Sequence, residues 1–392
     1  MPILGLHRNA IVSQLVPEQW NFNGPVNAIA LERNANGTAT GKIYVGGNYN
    51  RYNGSTANLI IRLNPNGTVD SSFNTGTGFT GGEVRAIVPV SGSTSIYVGG
   101  NFLGYSGSTC HKVIRINSNG TRDLTFNPGT STTGNIYAIA LASGSDKLYV
   151  GGDFTIYSGS SVNRIARVNS NGTLDTAFNV GAGAIRFGDS TTPFVYGILP
   201  VTQSDGQIYI VGSFNYYSGS QVNGIARINS NGTLVSTSSF NPGVGNAAGV
   251  NDAPYVIRRV LNSTSVYVGG NFTTYSGSTA IKLVKINSNG TRDTTFNVGS
   301  TTGIIYSIAD TLDGSGDIYV GGSFTTYSGS SGPSRIVRVR SNGTINTSVS
   351  FGTGFNNNVL AIEPTSSNQV YMGGNFTSYK GNTYNYIIKL IS

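Results

Sequence analysis

Ile96-Tyr97-Val98-Gly99-Gly100-Asn101-Phe102, followed by Leu103-Gly104-Tyr105-Ser106-Gly107, is the stretch whose reading decides the fold. Its apolar run is strand-like, and its glycines and Ser-Gly step end that run in turns. The same pattern recurs seven times, with its first ring at Tyr44, Tyr97, Tyr149, Tyr209, Tyr267, Tyr319 and Tyr371. A second aromatic stands five residues after each (Tyr49, Phe102, Phe154, Phe214, Phe272, Phe324, Phe376), and a Tyr stands eight after (from Tyr52 to Tyr379). A basic residue flanked by apolar ones comes next: Arg62, Arg115, Arg167, Arg227, Lys285, Arg338 and Lys389. Six copies then carry Asn-Gly-Thr, as in Asn119-Gly120-Thr121, and the seventh would lie past the last residue.

Self-similarity at a spacing of 52 to 60 residues is the mark of a repeat architecture. Each unit reads as four short strands. An apolar run (Val84 to Val88) is followed by the Tyr-Val-Gly-Gly strand, a third strand (Val113 to Asn117), an Asn-Gly hairpin turn and a short outer strand ending in Phe-Asn. Four strands in about fifty residues is the arithmetic of a propeller blade. The fold class expected is all-β, a seven-bladed β-propeller. Neither terminus resembles a solenoid cap. Gln19-Trp20-Asn21-Phe22-Asn23 resembles the Phe-Asn element, so residues 19–23 are expected to complete the last blade and close the ring. Residues 1–18 are read as an arm, and 19–392 as one domain.

Composition agrees. The 392 residues include 55 Gly but also 22 Tyr and 17 Phe, which supply a core that a disordered chain lacks. The net charge of +8 is not gathered into a Lys/Arg run, so no nucleic acid partner is expected. No apolar run is long enough to span a bilayer. No signal-peptide core precedes Val16. The single Cys110 excludes an internal disulfide framework.

The quoted motifs resemble the delta-sixty repeat propeller family, whose units likewise run Val-Gly-Gly-x-Phe, Tyr-x-Gly, Ile-x-Arg-Leu-Asn, Asn-Gly-Thr and Asp-x-x-Phe-Asn. The resemblance covers residues 20 to 392 and implies the propeller fold. Members of that family occur in bacterial surface proteins and phage virions. The opening Pro2-Ile3-Leu4-Gly5 also resembles the start of some phage tail proteins. Copy four departs from the pattern, with Val211-Gly212 in place of Gly-Gly.

Strictly repeated positions are read as architecture. The repeated Tyr packs between blades, and the repeated base pairs with an acid eight residues later (Asp70, Asp123, Asp175, Asp293). Val235 and Asn346 replace that acid, which leaves Arg227 and Arg338 as the freer bases. His7 and His111 have no partner at ligand spacing, Glu83 and Glu363 are isolated, and the inner strands read as apolar Ala-Ile-Ala. Asp205, Asp313 and Asp317 lack calcium-loop spacing. The expectation is no catalytic residue, no metal and no cofactor.

The irregularities remain. Segments 181–200 and 241–259 are longer than their counterparts and emerge on one face, where insertions in repeat proteins often bind. They nominate Arg186, Phe187, Asp189, Phe194, Asn246, Asn251 and Tyr255 as partner-binding. The reading is a non-enzymatic phage virion protein, of the tail or capsid. Its arm or loop face contacts other virion proteins, and its loop face a host surface glycan. A bacterial surface or secreted adhesion module is the alternative, and a glycan-cleaving enzyme the third.

Overall fold

A computed structural model describes residues 13–14, 16–34, 36–90, 93–129, 132–188, 192–201, 206–242, 253–330 and 332–391. Every element among them is a β-strand. Each Tyr-Val-Gly-Gly motif forms a middle strand buried along its length, such as Ile96–Gly100. Its own apolar run (Val84–Pro89) pairs with it antiparallel on one side and its Arg-bearing strand (Val113–Ile116) on the other. Among the described residues seven such sheets form, one per sequence copy. Their first strands are Val26–Arg33, Val84–Pro89, Ile136–Leu141, Val195–Pro200, Pro254–Arg259, Ile305–Asp310 and Val359–Ser366. Each touches the first strand of the next sheet, and Val26–Arg33 also touches Val359–Ser366.

The Gly-Gly pair is fixed by two close approaches. A Cβ at Gly46 would lie 2.4 Å from Val84 of the second sheet, and one at Gly99 would lie 2.9 Å from Ile136 of the third. At Gly47 it would lie 2.1 Å from the Pro25 carbonyl oxygen. In the fourth sheet Val211 takes the place of the first glycine, and the missing room is made within the same sheet. Gly197 sits where the first, second, third and seventh copies carry Ala, and a Cβ there would come 2.8 Å from Val211. The departure in copy four is therefore a paired exchange of volume.

The outer strand differs from the four-stranded expectation. After the Asn-Gly turn the chain makes one bridge, such as Ile116↔Arg122, and leaves the sheet. Its Asp-x-x-Phe step turns the chain inward so that the Phe ring caps the sheet's own Tyr, as Phe126 does on Tyr97 at 5.1 Å. The following Asn then hooks the next sheet, its amide donating to a turn carbonyl there (Asn74 N to Asn119 O, 2.9 Å).

Among the described residues the seventh sheet alone has a full outer strand. Val16–Asn21 pairs antiparallel along Tyr386–Ile391, with Val16 opposite Ile391. Three residues of the 1–18 segment thus lie in a sheet, and Ser13–Gln14 pairs with Val349–Ser350 of the sixth copy. Trp20, not Phe22, fills the ring slot, 5.0 Å from Tyr371. Phe22 packs on Tyr49 and Tyr52 as Phe79 does on Phe102 and Tyr105. Glu18 takes the acid's part and pairs with Lys389 at 3.2 Å.

Candidate functional site

The site begins with a register slip. In every sheet the first strand gains one residue against the middle strand, opposite the Gly-Gly pair. A bulge leaves its extra residue outside the ladder and re-aims the side chain. The extra residues are Asn27, Arg85, Tyr137, Tyr196, Tyr255, Tyr306 and Leu360. All are half-buried, and all lie at the end of the sheet reached by the loops that enter each first strand. Successive rings touch: Tyr137 and Tyr196 at 5.4 Å, Tyr196 and Tyr255 at 4.6 Å, Tyr255 and Tyr306 at 5.5 Å. Phe194 stacks on Tyr196 with 10° between planes and meets Tyr137 edge-on. Arg85 lies over Tyr137 at 4.4 Å and pairs with Glu83, whose other oxygen accepts from Asn27 Nδ2 at 2.7 Å. An aromatic arc over four consecutive sheets thus runs into a carboxylate–guanidinium–amide cluster.

The opposite ends of the first strands carry charge instead. Arg258 pairs with Asp310 at 3.0 Å beside a 550 Å³ hollow lined by Arg259, Leu199 and Asn262. Glu363 accepts a hydrogen bond from the Leu31 amide at 3.3 Å. Desolvation pushes its carboxyl up to about 7, against the pull of Arg258, the Leu31 amide and Arg33. The first strands are therefore not purely apolar, and neither Glu83 nor Glu363 is isolated.

Of the nominated residues, Phe194 and Tyr255 belong to the arc. Phe187 stands apart and 59% exposed, edge-on to Tyr216 at 5.0 Å, with its backbone held by Asn215. Arg186 donates to the Ser213 carbonyl at 2.9 Å. Asp189, Asn246 and Asn251 lie outside the described residues. Sequence reasoning missed Tyr137, Tyr196 and Tyr306, although each precedes the first strand's Ile by two residues.

The repeated side chains are architectural. The Tyr105 hydroxyl donates to the Gly120 carbonyl at 2.5 Å, and Tyr217 to Gly232 at 2.7 Å, each tying a hairpin to the Asn-Gly turn of its own sheet. Ser106 (φ 49°) and Gly107 (φ 79°) form the left-handed turn that sets the ring in place. Arg115 Nε pairs with Asp123 at 2.7 Å, and its Nη1 reaches the Ser170 carbonyl of the next sheet. Burial of Asp123 opposes ionisation, but bonds from Thr125 and Arg115 hold its carboxyl below the usual range. Arg338 is not a freer base. Its acids come from the turn before its sheet's middle strand, Asp317 at 2.7 Å and Asp313 at 2.6 Å. Asp317 stands where the first and third copies carry Lys42 and Lys147, so the sixth copy transposes acid and partner. Arg227 donates to the Ser288 carbonyl at 3.2 Å. Among the described residues no three His, Cys, Asp or Glu side chains gather as a metal site, and no helix is long and apolar enough to cross a membrane.

A family model described as a domain of unknown function (DUF5122) beta-propeller matches residues 38–73, 95–126, 144–178, 203–234, 265–296 and 314–348, over half of the chain. The chain belongs to the DUF5122 β-propeller family. Each DUF5122 match runs from the middle strand through the Asn-Gly turn. The seventh copy, divided between the two ends of the chain, lies outside them. Among solved structures the DUF5122 chain is similar to the extracellular domain of the hybrid two-component system BT4673 from B. thetaiotaomicron, at 17% identity and a TM-score of 0.51. The match covers 95% of this chain and 39% of that one. A second structure of that BT4673 domain, titled as a one-component system, matches at 16% identity and 0.52, covering 95% and 40%. The chain thus spans about two fifths of the structures it first matches. The WD40 propeller domain of Doa1 matches at 11% and 0.49 over 96% of this chain and 95% of its own. No curated protein matches the sequence. The family match shows a β-propeller, and every element among the described residues is a strand.

Proposed function

We propose that the seven sheets are the blades of one closed seven-bladed ring, of the delta-sixty type, and that the protein is a non-enzymatic binding component of a phage virion, in its tail or on its capsid. Three seam contacts that repeat those elsewhere support closure. Gly373 meets Val26 as Gly46 meets Val84, Lys389 donates to the Pro65 carbonyl as Arg115 does to Ser170, and Trp20 replaces the repeated Phe.

The observation that carries the binding reading is the aromatic arc. It breaks the repeat's symmetry, and it lies at the end of the sheets where the longest insertion, 181–200, enters. Half-buried aromatics with Arg at the rim supply contact area and directed donors. The acids beside the axis support a non-catalytic role, because Glu83 and Asp310 are each engaged by a guanidinium. The loop face takes a host surface glycan or a neighbouring virion protein, and residues 1–18 serve as a further attachment. The bacterial-surface alternative has the extracellular BT4673 domain as its support.

Antibody-labelled electron microscopy of native particles tests the setting. Label on tail or capsid is the expected result, and label confined to bacterial envelopes overturns it in favour of the alternative. Purified protein applied to host cells tests the face. Combined replacement of Tyr255 and Phe187 by Ala is expected to abolish retention on cells with an unchanged unfolding transition. Undiminished retention removes the loop face from the reading.

A further inference from the structure

We infer that the axial mouth formed by the bulged residues is a carbohydrate subsite for one neutral pyranose of a glycan chain, an inference that rests on the loop-face reading and names its ligand. Two halves of different chemistry meet there. Tyr137, Tyr196 and Tyr255 present rings in unbroken contact, and Phe194 stacks on Tyr196 and meets Tyr137 edge-on from the entering loop. On the other side Glu83 is locked between Asn27 at 2.7 Å and Arg85 at 2.5 Å. A pyranose has one apolar C–H face and a rim of hydroxyls, so it matches a ring surface on one side and a fixed acceptor–donor cluster on the other. Vicinal hydroxyls are met by a planar carboxylate beside a planar guanidinium, whose paired donors and acceptors are set in advance.

The charge balance selects a neutral sugar. Glu83 and Arg85 cancel each other, and the guanidinium is committed to Glu83 and to the Tyr137 face. A phosphate or a nucleic acid strand finds no net positive charge in the cluster, because Glu83 neutralises Arg85. Polypeptide also uses aromatic grooves when extended and proline-rich. It needs a trough open at both ends, whereas this arc terminates on the polar cluster at Asn27 and Glu83. Tyr306 and Leu360 continue the wall from the far side, so the mouth receives a chain end better than a chain middle.

The test uses the full chain, with short neutral oligosaccharides of glucose, galactose and N-acetylglucosamine as probes. Binding is read by ligand-observed NMR and calorimetry. Wild type is expected to bind at least one probe. Tyr196→Ala and Tyr255→Ala are each expected to weaken it about tenfold, the equivalent of about 1.4 kcal/mol. Tyr255→Phe should retain most binding, since the ring and not the hydroxyl carries the contact. Glu83→Gln should weaken binding without moving the unfolding transition. Leu124→Ala, at an exposed position of the second copy away from the loop face, should leave it unchanged. The inference is overturned if no neutral probe binds, or if a proline-rich peptide or oligothymidylate competes at the mouth more tightly than any sugar. It is also overturned if a sugar binds equally well to Tyr196→Ala and Tyr255→Ala. In that last case a loss with Phe187→Ala moves the glycan to the outer loop, and the loop-face reading survives without the axial subsite.

Discussion

Trp20→Ala is the sharpest test of how the chain ends are joined. The indole is 2% exposed, lies 5.0 Å from the Tyr371 ring and covers the Asn-Gly turn at Gly67. Burying an aromatic of this size hides about 200 Å², worth about 5 kcal/mol at about 25 cal/mol per Å². That is an upper value, because a denatured chain already hides part of the area. Measured losses for emptying a buried Trp or Phe site run about 3 to 5 kcal/mol. Phe126→Ala is the internal standard, since Phe126 is 0% exposed and occupies the same slot on Tyr97 in the second sheet. Urea unfolding followed by far-ultraviolet circular dichroism should give the two variants similar losses of about 3 to 5 kcal/mol. Because Trp20 is the only Trp in the chain, its emission in the unsubstituted protein reports the seam directly. The emission and dichroism transitions should coincide. If Phe126→Ala costs several kcal/mol while Trp20→Ala costs under about 0.5, a value typical of surface positions, the N-terminal strand is not part of the cooperative fold. The closure argument then fails.

Gly197→Ala should cost about 1 to 3 kcal/mol by overpacking against Val211, and Val211→Gly in the same chain should recover part of it. A double-mutant cycle with no coupling would show that the two positions are independent. Arg62→Leu removes a guanidinium buried between Glu32 (2.7 Å) and Asp70 (2.7 Å). The loss should be about 3 to 5 kcal/mol, the range for a buried charge left unpaired, and larger than that of Arg115→Leu in the more open second sheet. Equal losses by thermal denaturation would contradict this. The raised carboxyl of Glu363 means that the folded chain holds a proton the unfolded chain releases from its ordinary 4.5 upward, until the folded group ionises near 7. Its contribution is complete below about pH 4.5 and is lost as pH rises to about 7. Over that window the wild type should lose on the order of 1 to 3 kcal/mol, discounted because the carboxyl keeps some contact with water. Glu363→Gln should flatten that slope, and an unchanged pH profile would refute the assignment.

Most of the architecture was legible because it is repeated. The hairpin Tyr and the Arg–Asp pair each satisfy a local geometric need, and the bond of Tyr105 to Gly120 spans only fifteen residues. Three features were hidden for separate reasons. The bulge shifts the first strand's register by one residue, so Tyr137, Tyr196 and Tyr306 fall on a face that simple alternation assigns to the core. Arg338 finds Asp317 in the turn before the middle strand, so the missing acid at Asn346 suggested a vacancy that folding fills. Trp20 shares its slot with phenylalanines that arrive on a different backbone path, after a turn and not along a strand. The position of Phe22 in the sequence was therefore a poor guide to which ring caps Tyr371.

The seventh sheet also sets a timetable. Glu18 and Lys389, which face each other across it, are 371 residues apart in the chain. At about 5 to 20 residues per second a ribosome needs roughly 20 to 70 s to make that interval. Throughout it the segment carrying Trp20 and Phe22 has emerged and has no strand to pair with. Six sheets can form on nascent chain while this one waits, and its partner, Tyr386–Ile391, is made only after them. When many copies are translated close together, the waiting segment of one chain can reach the Tyr386–Ile391 strand of another. The product of that error is a pair of chains, each completed by its neighbour's Val16–Asn21 strand.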